Sequence, residues 1–489
     1  MSNPRSAASA VLALGLLSLS LAAPGASAAP VVMLGRAGHS WRASDRFLGP
    51  DLLPARSPTP ARPTAQPPPA QVATAPVPVT SVLRRLRASR AISAAQYGSY
   101  AGSLSAATGT LRRLSGTRAV ELGAVLGNLR TIAASHQLTP SRLPALFLTL
   151  ARNRSWWSRG PLLSPGQRVE FAGSELVWEY YPGQGIELQE LGSFGKANGL
   201  YTAGPRSYPR TLTLLGELLP LASRRAGGIA WEYFFRFEGA APPWSSAMSQ
   251  ATALQALARA YLLTHRRSLL DLGRRALPLF ATPPPAGAGV RTSEGRRYLL
   301  YSFAPGERVI NGFLQSLIGL LDFARVSGDA RAAGLFAGGD AEARAELPLY
   351  DTGAWSLYEP GQESTLDYHV LVTGFLHGLC ERTRAEAYCA TARRFARYLK
   401  TPPALSLLTT GVAARRPAIV RFWVSKVSHV GIVITRGART VFLTSATFGY
   451  GAHRFSLPPL APGRDGVRLA ATDLAGNFSR IAGTVSVGR

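Results

Sequence analysis

Apolar residues recur every three or four positions through the middle of the chain, and every second position toward its end. In "SQATALQALARAYLLT" (249–264), Ala251, Leu254, Leu257 and Tyr261 share one helical face, and "NGFLQSLIGLLDFARVSG" (311–328) repeats this with Phe313, Leu317, Leu320 and Leu321. "LDYHVLVTGFLHGLCERT" and "AEAYCATARRFARYLK" predict two more helices. Before them, "QRVEFAGSELVWEYYPGQGIELQEL" alternates at Val169, Phe171, Leu176 and Trp178, the period of a strand. After about 411 the alternation is continuous and breaks at Gly, Pro and Asn turns every ~8–12 residues, the rhythm of a small β-sandwich.

This patterning predicts a multidomain, mainly α protein. Residues 1–28 carry one arginine, an apolar run and the ending Ala26-Ser27-Ala28, which reads as a signal peptide. Residues 29–80, with repeated prolines in 52–80, read as a disordered linker. Residues 81–165 predict two or three packed helices without a chemical motif. Residues 166–405 predict an (α/α) toroid-like domain of helical hairpins with a short β-rich entry, and residues 411–489 an Ig-like β-sandwich in which Asp473, Gly476 and Asn477 supply turn chemistry. No later stretch offers the ~18 apolar residues of a second anchor.

Charge changes the picture of partners. With 54 Lys plus Arg against 27 Asp plus Glu, the net charge is +27, and a field of that sign concentrates acidic polysaccharide, nucleic acid or anionic lipid. A GC-rich coding bias toward arginine is the plainer source of the same surplus. Expected export, with no recognisable nucleic-acid-binding module, points away from DNA and toward a secreted or cell-envelope location. The only cysteines, Cys380 and Cys389, flank a turn between two helices and predict a disulfide in an oxidising compartment. No metal cluster, phosphate loop or dinucleotide fingerprint appears, so no cofactor is expected.

The stretch "YDTGAWSLYEPGQESTLDYH" (350–369) sets Tyr358 and Tyr368 where a polar loop enters a helix, either as a packed hinge or as phenols for proton chemistry. It resembles a block of the D-glucuronyl C5-epimerases, as do "YYPGQGIELQELGSFGKANGLYTAG", "PWSSAMSQATALQALARAYLLT" and "YSFAPGERVINGFLQSLIGLLDF", in the order of that family's C-terminal domain. The likeness spans about 240 residues and excludes the proline-rich stretch, the helices before 165 and the C-terminal sandwich. It implies inversion of C5 of D-glucuronate in a heparosan-like polymer, with Tyr301, Tyr358 and Tyr368 as catalytic phenols. Two positions depart from the family: the glutamate beside the first tyrosine is Leu300, and the arginine after the second falls in "EPGQE". Glu294, Glu307, Glu359 and Glu363 are the acids near enough in sequence to substitute.

Inverting a carbon next to a carboxylate needs a base on one face, an acid on the other, and donors for the developing enolate. A phenol near pKa ~10 needs cations beside it to act as a base. Lys196, Arg236 and Arg308 are the candidates for that work, Asn198 and Asn311 for donors to substrate, and His369 for orienting a phenol or titrating near neutrality. The plainer readings are that the asparagines make Asn-Gly turns, that His369 serves its own helix start, and that Trp231, Tyr233 and Trp244 are core rather than sugar platforms. A polysaccharide lyase, or a glycan-binding scaffold without catalysis, fits the same pattern.

Overall fold

Pro78, extended and without an amide hydrogen, is the boundary from which helix α1 (Val79–Ala88) starts; α2 (Ala94–Leu111), α3 (Gly116–Ala134) and α4 (Leu143–Arg159) follow. The computed structural model describes residues 29–35, 38–48 and 77–488. The expected leader over 1–28 and the prolines before 77 lie outside the described residues. Four helices therefore stand where two or three were expected. A capping box opens α2: Ser93 Oγ accepts from the Gln96 amide while Gln96 accepts from the Ser93 amide.

The linker expected from residue 29 needs correction. Ala29–Leu34 and Ser40–Asp45 are antiparallel strands, and the first runs parallel to Arg168–Phe171, with Val32 opposite Val169. The five-stranded sheet continues through Trp178–Tyr181 to Gly185–Leu188. A short apolar run whose partner lies more than a hundred residues away leaves no local signal. Glu121 of α3 ties the helices to this sheet, accepting from Tyr180 Oη and from the amides of Gly183 and Gly185.

The helical hairpins come next. Helix α5 (Glu190–Thr202) precedes α6 (Tyr208–Leu218), α7 (Ala247–Thr264) precedes α8 (Arg267–Ala276) and the short α9 (Pro278–Ala281), α10 (Ile310–Ser327) precedes α11 (Ala330–Glu346), and α12 (Leu366–Thr383) precedes α13 (Glu386–Tyr398). α5, α7, α10 and α12 pack side by side in that order, each backed by its successor. The α7–α10 contact is backbone-close: a Cβ on Gly319 would lie 2.1 Å from the Ala251 carbonyl oxygen. Cys380 and Cys389 are disulfide-bonded, joining α12 to α13.

Residues 405–488 form a separate β domain with its own core, including Val420, Phe422, Ile432, Leu469 and Val485. One sheet orders Leu405–Leu407, Ala418–Val424 and Gly451–Leu457; the other orders Gly411–Ala413, Phe478–Gly488, Gly463–Asp473, Ser428–Arg436 and Arg439–Phe448. Asp473 binds the Ala475 and Asn477 amides around Gly476, which has φ +85°. No helix among the described residues is long and apolar enough to cross a membrane.

Candidate active site

A distinct aromatic cluster contains Tyr301, Tyr358 and Tyr368 together with Leu300, Trp244, Phe237 and Phe303. Tyr301 is fixed by its backbone neighbours: the Ala247 amide donates to Leu299 O (3.0 Å) and the Ser302 amide to Ser245 O (2.8 Å), clamping 299–302 to the start of α7. Its ring stacks on Phe303 at 5.3 Å and meets Trp244 edge-on at 5.7 Å. Tyr358 lies on the strand Leu357–Glu359, paired with Gln362–Glu363. Tyr368 is in the first turn of α12, where Thr365 Oγ1 accepts from its amide. The two phenol rings meet at 4.9 Å.

A hairpin, 233–244, covers the cluster. Tyr233 and Trp244 exchange backbone hydrogen bonds, as do Phe237 and Ala240, leaving Glu238 and Gly239 as a two-residue turn with φ +48° and +83°. Phe237 packs 5.4 Å from Tyr301. The positive φ at Glu238 is uncommon for a side-chain-bearing residue and holds a carboxyl at the cluster's edge.

The electrostatics are acidic. Burial, then the neighbouring Tyr358, Glu238, Glu307 and Tyr368, pushes the Tyr301 phenol well above its usual value. Burial followed by Tyr368, Glu307 and Glu238 does the same to Tyr358. Glu307 is pushed up to about 7 by burial and by the charges of Glu238 and Glu359, and Glu238 is raised by burial and Glu359. The charges that raise both carboxyls are those of neighbouring glutamates. The acids and phenols therefore act on one another as one group, in which the Tyr301 and Tyr358 phenols stay neutral. No group of three or more acidic, His or Cys side chains among the described residues is arranged to hold a metal ion.

Residues 226–397 match the family described as D-glucuronyl C5-epimerase C-terminus. That match covers about a third of the chain. A D-glucuronyl C5-epimerase from Caenorhabditis elegans is 31% identical over 179 residues, 32% of this chain and 29% of that protein. An uncharacterized protein from Methanocaldococcus jannaschii is 30% identical over 138 residues, 27% of this chain and 45% of that protein. The chain thus spans less than half the length of these curated relatives. Among solved structures, a sugar epimerase from a ruminal bacterium is similar at TM-score 0.32 and 12% identity, covering 43% of this chain and 59% of that one. Cellobiose 2-epimerase from Bacillus thermoamylovorans is similar at TM-score 0.34 and 11% identity, covering 58% and 75%.

The C5-epimerase segment contains every member of the phenol–carboxylate group, from Glu238 to Tyr368, and the structure brings the three expected tyrosines together there. Of the acids considered as substitutes for Leu300, Glu307 and Glu359 join them. Glu363 does not: it accepts from the Val427 and Tyr450 amides of the β domain. Glu238 escaped sequence reasoning, although an acid-glycine pair inside the alternating "YFFRFEGAAPPW" marks a hairpin tip. Two further missed carboxyls, Glu187 and Glu190, are fully enclosed and raised well above the carboxylate range chiefly by burial.

The expected cations stand elsewhere. Lys196 is fully buried among Asp45, Glu170 and Glu175, at 2.7–3.0 Å, because desolvating an ammonium requires paired carboxylates. Arg308 pairs with Glu346 at 2.7 Å, and Arg236 is exposed, donating toward Thr131. Asn198 joins helices, donating to Thr252 O and accepting from Arg259, so it makes no turn. Asn311 opens the first turn of α10 and is buried; like the Tyr301 hydroxyl, both its amide atoms lack a partner among the described residues. His369 is buried and stacked 3.8 Å on Trp355; its Nε2 must donate to Phe395 O, which leaves Nδ1 to accept from Ser356 Oγ. Burial lowers its pKa to about 4, so it stays neutral and structural. Trp231 and Tyr233 are core, with the Leu191 amide donating to Tyr233 Oη, and Trp244 is buried beneath Tyr301.

Proposed function

We propose that this protein is an exported carbohydrate epimerase that inverts C5 of D-glucuronate residues in an acidic, heparosan-like polysaccharide. The observation that carries the reading is the gathering of Tyr301, Tyr358 and Tyr368, with Glu307, inside a segment of the C5-epimerase family. Glu307, ionised above about 7, serves as the base that the raised Tyr301 and Tyr358 phenols do not; a phenol on the other face returns a proton to the enolate. Asn311 and the Tyr301 hydroxyl, lacking partners among the described residues, supply donors to the substrate carboxylate. The signal-like leader and the disulfide support export to the medium or envelope. The helical hairpins support the toroid description, and the division of the β domain's strands between two sheets supports an Ig-like one.

A second reading, a glycan-binding scaffold without catalysis, is favoured by Leu300 and by the 2% exposure of Tyr301. Incubation with heparosan in deuterated water separates the readings. Deuterium at C5 of intact chains supports epimerisation. An unsaturated, ultraviolet-absorbing uronate identifies a lyase, and neither signal with retained binding identifies the scaffold.

A further inference from the structure

Alternation in Ala418–Val424 sends Val420, Phe422 and Val424 into the β core and leaves Ile419, Arg421 and Trp423 on the outer face of the three-stranded sheet. Register sets Arg421 directly opposite Arg454, and Trp423 opposite Ala452. Tyr450, 50% exposed, stands edge-on to Trp423 at 5.9 Å. Like charges directly opposite one another repel. The β domain cannot relieve this pair: residues 404–488 contain nine arginines and one lysine against two acids, Asp465 and Asp473. Asp465 is held by Arg436 and Asp473 by Lys426, each at 2.7 Å, and neither Arg421 nor Arg454 has an ion pair among the described residues. The domain's own carboxylates are thus already occupied by other cations.

We propose that the Arg421–Arg454 strip is an auxiliary subsite for an acidic polysaccharide, holding the uronate chain where it extends beyond the phenol cluster. Guanidinium forks bind carboxylates with two parallel hydrogen bonds, and the faces of Trp423 and Tyr450 suit the apolar faces of sugar rings. Position selects the same polymer that the proposed reaction uses. The Tyr450 amide donates to Glu363 (2.5 Å), on the two-stranded hairpin that carries Tyr358, so the strip begins at the edge of the cluster. The inference rests on the proposed function for the identity of the polymer.

The test compares two charge-matched double variants of the full chain, Arg421→Ser/Arg454→Ser and Arg468→Ser/Arg480→Ser, the second pair being exposed on the other sheet. Heparosan binding is measured at rising salt, and C5 deuterium uptake on polymer and on a tetrasaccharide. A roughly tenfold loss of polymer affinity with a matching rise in KM for the first pair only, with kcat and tetrasaccharide turnover unchanged, supports the subsite. Equal losses for both pairs, or none, overturn it, as does tighter binding of duplex DNA than heparosan through the same pair. If wild type takes up no deuterium yet the first pair alone governs heparosan binding, the catalytic reading fails and the subsite stands.

Discussion

Lys426, from the β domain, places its ammonium 5.2 Å from the ring centre of Trp355, the indole that stacks on His369 beside Tyr368. The same ammonium is buried against Asp473 and donates to Tyr398 O and Thr401 O at the end of α13. A domain outside the family match is thereby built into the support of the phenol cluster. Replacing Lys426 with Met leaves Asp473 buried and uncompensated, which costs about 3–5 kcal/mol. Urea denaturation of Lys426→Met is expected to show a lower midpoint, with the β domain melting separately; a midpoint within about 0.5 kcal/mol of wild type would refute the coupling.

Tyr301 separates catalysis from packing. Its hydroxyl is buried without a partner among the described residues, so Tyr301→Phe removes a desolvated polar atom and keeps the ring contacts with Phe303 and Trp244. Stability is expected to stay level or rise slightly, while C5 deuterium uptake falls by about a hundredfold or more. A variant that retains full uptake would remove Tyr301 from the chemistry.

His369 writes a pH signature into the fold. Its pKa falls from 6.5 to about 4 on folding because burial disfavours the imidazolium. Below 6.5 the unfolded chain takes up a proton that the folded chain refuses, so this residue's contribution is lost as pH falls toward 4, on the order of 3 kcal/mol in all. The unfolding free energy of wild type minus that of His369→Gln is expected to shrink between pH 6.5 and 4. A difference constant across that window would show that the imidazole charges in place.

The sequence made the phenols legible because each lies in a block with its own local pattern, and the helices because their apolar faces repeat over many turns. The electrostatic partners were not legible. Lys196 looks like a substrate cation until Asp45 and Glu170, far apart in the chain, enclose it. His369 beside Tyr368 looks catalytic until α13 brings Phe395 to its other nitrogen. Glu238 comes beside the phenols only when a hairpin folds over a tyrosine sixty-three positions later. In each case the deciding contact is long-range, and residue type alone is silent about it.

Glu307 carries the last prediction, and its sign is opposite to that of His369. Its pKa rises from 4.5 to about 7 on folding through burial and the neighbouring Glu238 and Glu359. Below 4.5 both states are protonated; between 4.5 and 7 the unfolded chain ionises first, so the residue's contribution to stability is lost as pH rises and is gone above about 7. Glu307→Gln removes that loss, and its stability advantage over wild type is expected to grow between pH 4.5 and 7. Activity runs the other way: if Glu307 is the base, deuterium uptake by wild type climbs with a limb near 7, and Glu307→Gln, which cannot ionise, lacks both the limb and most of the rate. Stability and turnover moving in opposite directions through one pH window is a pattern that a merely packed carboxyl would not produce. Were the variant to keep the activity limb near 7, another group would be the base, and Glu238, raised in the same acidic surroundings, would be the next to replace.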